Sequence, residues 1–397
     1  MTSHDVPRDA GPASRTALSS YVQELFGHLP RADQRRWAQA YVQGLLTTGG
    51  KKSVRRLAAS VSASPTAFQS LQQFVNSSPW DWEPARHELM RWVERRATPR
   101  AWAIGLAVMP KRGDRSVGVH RRFVREAGRT VNCQVGIGGF LAVDGADIPV
   151  DWQLLLPGEW CQDSTKRERT RIPEETRRRP PWAHVLEVVE TLAAHTSHVP
   201  VPVVADMTEL SEAGAMVDAF SRAGQGFVIA VPSSTMVVPA ARMPAAGGAQ
   251  LPAEGLSAQR FLHLVGGQQP HITAVQTPHG PRHVRIQSGV ARLPGSGRLG
   301  QPYRLFTEWR GPQEVPGQVW ITNLTQLRVD EILALTRISH RTNTTLRSLA
   351  RDFGLLDFEG RSFPGWHHHM TLVSAAYAYR RLTVPAARLP LVGEHSA

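Results

Sequence analysis

Apolar residues in the first hundred positions recur at helical spacing. Leu18, Tyr21, Val22, Leu25, Phe26 and Leu29 share one face of a helix that Pro30 closes. Trp37, Tyr41, Leu45 and Leu46 mark a second helix, ended by Gly49-Gly50. The stretch from Lys51 to Val61 reads as a short basic helix. Ser64 and Pro65 then supply an N-cap and a first helical position for a helix that buries Phe68, Leu71, Phe74 and Val75. From residue 100 the period shortens, predicting strands at 101–108, 131–143 and 147–156. A helix at about 182–195 follows, then a strand at 201–205 running into Asp206, a helix at 211–223 and a strand at 226–231. Between about 232 and 325 the chain is rich in Gly, Pro and short β-like runs, at 284–288, 303–309 and 319–322. Helices return at 328–353 and 366–382. The pattern predicts a mixed α/β protein with an N-terminal all-helical unit at 14–98 and a core whose first part spans 99–231. A β-rich insertion at 232–325 and closing helices at 326–384 follow, with tails at 1–13 and 385–397 expected to be disordered or flexible.

Composition sharpens this picture in four ways. At 397 residues the chain exceeds the roughly 250–300 residues of a single hydrophobic core, so two or three domains are expected. Its net charge of +13 suggests a polyanionic partner, although arginine-favouring codons would also raise it. The two cysteines, Cys133 and Cys161, have no Cys-x-x-Cys spacing, which argues against a zinc ribbon and a disulfide scaffold. No apolar run approaches the roughly 18–20 residues of a membrane span, and the polar N-terminus lacks a signal-type apolar segment. The expectation is a cytoplasmic, nucleoid-associated protein.

The charge has a candidate focus. Two short helices joined at Ser62-Ala63 resemble a helix-turn-helix, with Thr66, Gln69, Gln73 and Asn76 on one face of the second. Glutamine and asparagine amides pair with the edge of adenine, and Lys51, Lys52, Arg55 and Arg56 can sit on phosphates. The same amides serve equally well as a solvated helix face. The arginine-rich run from Arg167 to Arg179 reads as a solvated loop able to brush a DNA backbone. Trp80, Trp82, Trp92 and Trp102 are expected in the core. His367, His368 and His369 are consecutive on a helix and cannot all face one metal ion. No phosphate loop, serine elbow or dinucleotide fingerprint occurs in context.

Six strings occur in an order that resembles the DDE transposases of bacterial insertion sequences. They are Gln72-Gln73-Phe74-Val75-Asn76-Ser77-Ser78-Pro79-Trp80-Asp81, Asn132-Cys133-Gln134-Val135-Gly136, Asp151-Trp152-Gln153-Leu154-Leu155-Leu156-Pro157, Val203-Val204-Ala205-Asp206, Gly354-Leu355 through Arg361-Ser362-Phe363, and Gly365-Trp366-His367-His368-His369. The resemblance implies an RNase H-like core with a β insertion before the third acid, a DNA partner, and three carboxylates holding Mg2+ or Mn2+. Such a site needs two divalent ions about 3.5–4 Å apart, held by hard oxygen ligands.

Against that pattern Asp206 matches the second carboxylate. Gly105 and Leu106 stand at the first acidic pair once Trp102 and Pro110-Lys111 are aligned. Asn343 stands at the third, set by its distance from Gly354-Leu355, and Ala350 replaces a lysine, whereas Arg341 matches. No acid lies between Glu94 and Asp114 or within 332–350, so a small alignment slip restores neither loss. The resemblance therefore implies a DNA-binding protein with a degraded site and no cofactor, acting by occupancy, as a homodimer or as partner of an active transposase. Its DNA contacts are expected from Lys51, Lys52, Arg55, Arg56, Gln69, Gln73, Arg341, Arg361, His367 and His369, the two histidines either positioning a phosphate or capping packing. One alternative is an active, metal-dependent transposase using Asp206 with carboxylates relocated from Asp144, Asp147, Asp151, Glu209, Glu212 or Glu359. Another is a protein-interaction scaffold.

Overall fold

The computed structural model describes residues 12–209, 212–240, 255–266, 271–277, 280–294, 300–309 and 317–383. The tails expected at 1–13 and 385–397 fall outside these residues, except that the first helix begins at Pro12. Five helices open the chain: α1 (Pro12–Phe26), α2 (Ala32–Thr47), α3 (Val54–Val61), α4 (Ala67–Asn76) and α5 (Glu83–Glu94). Their apolar positions are buried as their spacing predicts, including Tyr21, Leu25, Phe26, Tyr41, Leu45, Leu57, Leu71 and Phe74.

A sheet follows. Strand β1 (Ala101–Pro110) runs antiparallel to β3 (Arg129–Val143), which also pairs with β2 (His120–Val124) and, beyond it, with β4 (Ala146–Leu154). After α6 (Gly158–Gln162), α7 (Ser164–Thr170) and α8 (Pro181–His195), β5 (Val203–Asp206) returns parallel to β1. Helix α9 (Ala213–Arg222) then leads to β6 (Phe227–Val231), parallel to β5. The order β4-β3-β1-β5-β6, three antiparallel strands followed by two parallel ones, is that of an RNase H-like core.

The insertion comprises β7 (Met236–Pro239), β8 (Leu256–Ser257), α10 (Ala258–Phe261), β9 (His271–Thr277), β10 (Gly280–Arg292), β11 (Tyr303–Trp309) and β12 (Val319–Thr322). It extends the same sheet, because β12 pairs antiparallel with β6. Helices α11 (Val329–Asp352) and α12 (Phe363–Thr383) close the chain on one face, while α8 covers the other. The strand glycines record this layering. A Cβ on Gly105 would meet Thr342 and Leu346 of α11, one on Gly136 would meet Trp366 of α12, and one on Gly139 would meet Val188 of α8.

Helix α12 is buried on every side from Trp366 to Tyr379, as a helix enclosed within a protein must be. It packs on α2, α4 and α5 and on β4, so the N-terminal helices and the sheet share one contiguous core from Leu18 to Tyr379. The polar tie across this junction is Arg86 of α5, 3% exposed. Its Nε donates to Thr371 Oγ1 (2.9 Å), Nη1 to Asp151 Oδ1 (2.8 Å) and the Trp152 carbonyl (2.7 Å), and Nη2 to His367 Nδ1 (3.1 Å) and the His367 carbonyl (3.3 Å). All five guanidinium N–H groups are thereby used.

The three histidines of α12 are structural. His369 accepts from the Tyr41 hydroxyl at Nδ1 (3.0 Å) and donates from Nε2 to the Gly354 carbonyl (3.0 Å). Gly354 holds φ +74°, the left-handed conformation glycine tolerates, and a Cβ there would lie 2.5 Å from Lys52 Cβ. His368 stacks on Trp80 at 3.8 Å, with ring nitrogens 2.9 and 2.7 Å from the Val75 and Trp80 carbonyls. His367 stacks on Trp82 at 4.5 Å. The expectation that His367 and His369 contact DNA is corrected: they are 2% and 0% exposed, inside the core. Trp80, Trp92 and Trp102 are buried as expected.

Two outcomes follow from this packing. Replacing Arg86 with Ala strands the Asp151 carboxylate in the interior and is expected to lower the unfolding free energy by about 3–5 kcal/mol, read by denaturant titration. Burial pushes His367 well below the usual histidine range and His369 down to about 4. The unfolded chain therefore takes up protons first as pH falls, so stability is complete above about 6.5 and declines down to about 4. Thermal midpoints across that window should fall with pH, and the Tyr41-bonded His369 alone corresponds to about 3 kcal/mol.

Candidate functional site

Parallel strands β1, β5 and β6 present their carboxyl ends to one side of the sheet, the usual place for a site in such a layer. Asp206 is the last residue of β5 and pairs with Ala230 of β6. The register Ile104↔Ala205 carries on so that Gly105 stands beside Asp206. Helix α11 crosses this face with Asn343 near its middle. Gly105, Leu106, Asp206 and Asn343, far apart in the chain, thus line one cleft of about 620 Å³.

The rest of the wall comes from turns and strand ends, with Arg125, Thr208, Glu209, Ser233, Ser234 and Gln318. Of these only Glu209 carries a signal in sequence, as a candidate relocated carboxylate, because nothing but the fold brings the others together. Asp206 Oδ1 accepts from the Thr208 amide (3.1 Å) and the Thr208 hydroxyl (2.7 Å). Glu209 accepts from Arg122 Nη2 at 3.3 Å. Asp206 and Glu209 are the carboxylates among the described residues that line the cleft.

At the first acidic position the space is taken. A Cβ on Gly105 would lie 3.0 Å from Leu346 Cδ1 and Thr342 Cγ2 and 3.1 Å from Phe140 Cε2, closer than ordinary van der Waals contact. Helix α11 is pinned in this position by Asp147 of β4, whose side chain is fully buried. Arg341 Nη2 lies 2.6 Å from Asp147 Oδ1, and Thr342 Oγ1 donates to Oδ2 at 2.9 Å. Burial raises the Asp147 carboxyl above its usual range, against the opposing pull of Arg341 and Thr342.

A chain profile described as "DDE superfamily endonuclease" matches residues 24–275, more than half of the protein. The chain belongs to the DDE superfamily endonucleases. Comparison with curated proteins finds no match. The family match covers the strands that carry Gly105 and Asp206 and ends before α11, so Asn343 is placed in this DDE cleft by the geometry alone.

The family's chemistry calls for three carboxylates around two divalent ions. The donor set here does not fit that demand. Asp206 and Glu209 already serve Thr208 and Arg122, and Asn343 offers a neutral amide. Among the described residues no three His, Cys, Asp or Glu side chains are grouped to hold a metal ion. The other acids considered for relocation are engaged elsewhere: Asp144 with Arg100, Asp147 with Arg341, Asp151 with Arg86 and Glu359 with Lys51. Glu212 sits at the N-terminal boundary of α9.

The basic and amide residues divide. Gln69 and Gln73 are exposed on α4, and Arg55, Arg56 and Arg361 are exposed nearby. Lys51 is exposed and pairs with Glu359 at 3.0 Å. Lys52 is corrected as a phosphate contact: it is 5% exposed, Nζ donates to the Thr48 carbonyl, and burial lowers its pKa. Arg341 is likewise corrected, because its charge is directed at Asp147. The arginine run is only partly solvated. Arg167 donates to the Cys161 and Thr176 carbonyls, and Arg171 to the Asn76 carbonyl and Ser362 Oγ. Among the described residues no helix is long and apolar enough to cross a membrane.

Crowding at Gly105 predicts that Gly105→Ala destabilises the fold by about 1–3 kcal/mol, as overpacking does. The same substitution at exposed Gly49, where no atom lies within 4 Å and the backbone is not left-handed, reports the effect of an added methyl without crowding. A Gly105→Ala protein as stable as the wild type would show that α11 yields freely at this point.

Proposed function

We propose that this DDE-family protein binds DNA without cutting it, acting by occupancy of DNA sites or beside an active transposase. The observation that supports the reading is the cleft itself, where Gly105, Leu106, Asp206 and Asn343 lie together with Asp206 the lone carboxylate of the four. Glycine, leucine and asparagine cannot substitute for hard anionic ligands, and losing them removes most of the charge stabilisation an in-line displacement at phosphorus requires. DNA affinity is supported by the net charge of +13 and by the exposed Lys51, Arg55, Arg56 and Arg361 around α3 and α4.

One observation favours a second reading. Glu209 lines the same cleft three residues after Asp206, so a rearranged site could recruit it as a relocated carboxylate. Incubation of the purified protein with supercoiled plasmid and Mg2+ or Mn2+ separates the two. The expected result is intact plasmid in wild type and in Asp206→Ala alike. Nicking abolished by both Asp206→Ala and Glu209→Ala would establish the second reading. For DNA binding, filter-binding affinity should fall steeply with salt, by roughly a thousandfold between about 50 and 200 mM if about six phosphates are neutralised. No affinity even at low salt would overturn the DNA-binding reading and leave a protein-interaction scaffold.

A further inference from the structure

A second groove lies away from the cleft, between α4 and the segment 358–362, with a volume of about 620 Å³. That is within the roughly 300–1,000 Å³ typical of small-ligand sites. One wall is the amide face of α4, carrying Gln69, Gln72, Gln73 and Asn76. The opposite wall carries Phe358, Glu359, Gly360 and Arg361, and Arg169 lines the groove as well. A recognition helix entering a major groove must present its face to the duplex. Here that face looks across a groove at a second wall, an arrangement that favours one unpaired nucleotide over a duplex.

The groove is built in advance of any ligand. Arg171 joins both walls, donating to the Asn76 carbonyl and to Ser362 Oγ at 2.9 Å. Lys111 Nζ donates to the Phe358 carbonyl at 2.6 Å and lies over the Phe358 ring at 5.7 Å. Gly360 comes so close to α4 that a Cβ would collide with Asn76 Oδ1. That buried oxygen, wedged against Gly360 and Gly365, has no hydrogen-bond partner. Glu359 is paired with Lys51, so Arg169 and Arg361 leave the lining positive.

We infer that this groove binds a single unpaired nucleotide of DNA. The α4 amides, each both donor and acceptor, would read the edge of the base, and Arg169 and Arg361 would hold the flanking phosphates. Phe68, held under Arg55 at 4.6 Å, supplies an aromatic surface at the lining. The inference rests on the DNA-binding reading above and adds which form of DNA is preferred and where.

The test is fluorescence anisotropy at fixed salt with a blunt duplex and the same duplex carrying a short single-stranded tail. Wild type should bind the tailed duplex about tenfold more tightly, the scale of one well-stacked base. A Gln69→Ala/Gln73→Ala variant, altered only at exposed positions, should lose that advantage, the ratio of its affinities for the tailed and blunt duplexes falling to about one. Arg361→Ala should weaken tailed binding and flatten its salt dependence. Equal wild-type affinity for the two duplexes would overturn the inference while leaving DNA binding intact. So would equal weakening of both by the glutamine variant, which would instead put α4 against duplex DNA. Absence of binding to either duplex would overturn the DNA-binding reading and this inference together.

Discussion

Arg86 is the constraint on which the rest of the architecture depends. A guanidinium taken out of water is tolerable only when its donors are met, and here five acceptors on two elements meet them. Those elements are the edge strand β4 and the buried helix α12, so this side chain ties α5 to both. The contact to the Trp152 carbonyl also occupies a group that an edge strand would otherwise leave unpaired. His367 takes its tautomer from this arrangement: Nδ1 faces a cationic donor and must accept. With His369 bonded to Tyr41 and Gly354, and His368 seated between carbonyls of Val75 and Trp80, α12 is fixed in rotation as well as position.

A second buried charge governs the cleft. Asp147 holds Arg341 and Thr342 and so brings α11 down on β1, where Thr342 and Leu346 occupy the space above Gly105. The absence of a side chain at 105 and the close approach of α11 are two aspects of one packing arrangement. An acid at position 105 would therefore have to displace apolar packing as well as add charge, whereas Asn343 is exposed on α11. Helix α11 can lie this close to β1 because Gly105 has no side chain.

Much of the fold was legible from periodicity. The apolar spacing of Leu18, Tyr21, Val22 and Leu25 located α1, and the runs at 303–309 and 319–322 coincide with β11 and β12. The strand predicted at 101–108 continues to Pro110, and the helix predicted from 366 begins at Phe363, the ordinary uncertainty of element ends. Arg86 was overlooked although it had a signal, a charged residue among the apolar positions Ala85, Leu89, Met90 and Val93 of one helix. Lys52 is expected on phosphate from its basic cluster, and Arg341, His367 and His369 from the family resemblance, yet each is engaged with other parts of the fold.

The sequence by itself determined the order of elements, the basic charge, the family resemblance and the expectation that Gly105, Leu106, Asp206 and Asn343 stand where that resemblance puts its acids. These follow from local spacing and from residue identity, which need no knowledge of distant contacts. Only the tertiary structure decided that those positions share a cleft, that Glu209 joins them, and that the amide face of α4 looks into a walled groove. Residue type tells what a side chain can do, but burial and the partners that folding brings decide what it does. Contacts such as Arg86 to His367 or Arg171 to Ser362 span hundreds of residues, and no local pattern encodes them.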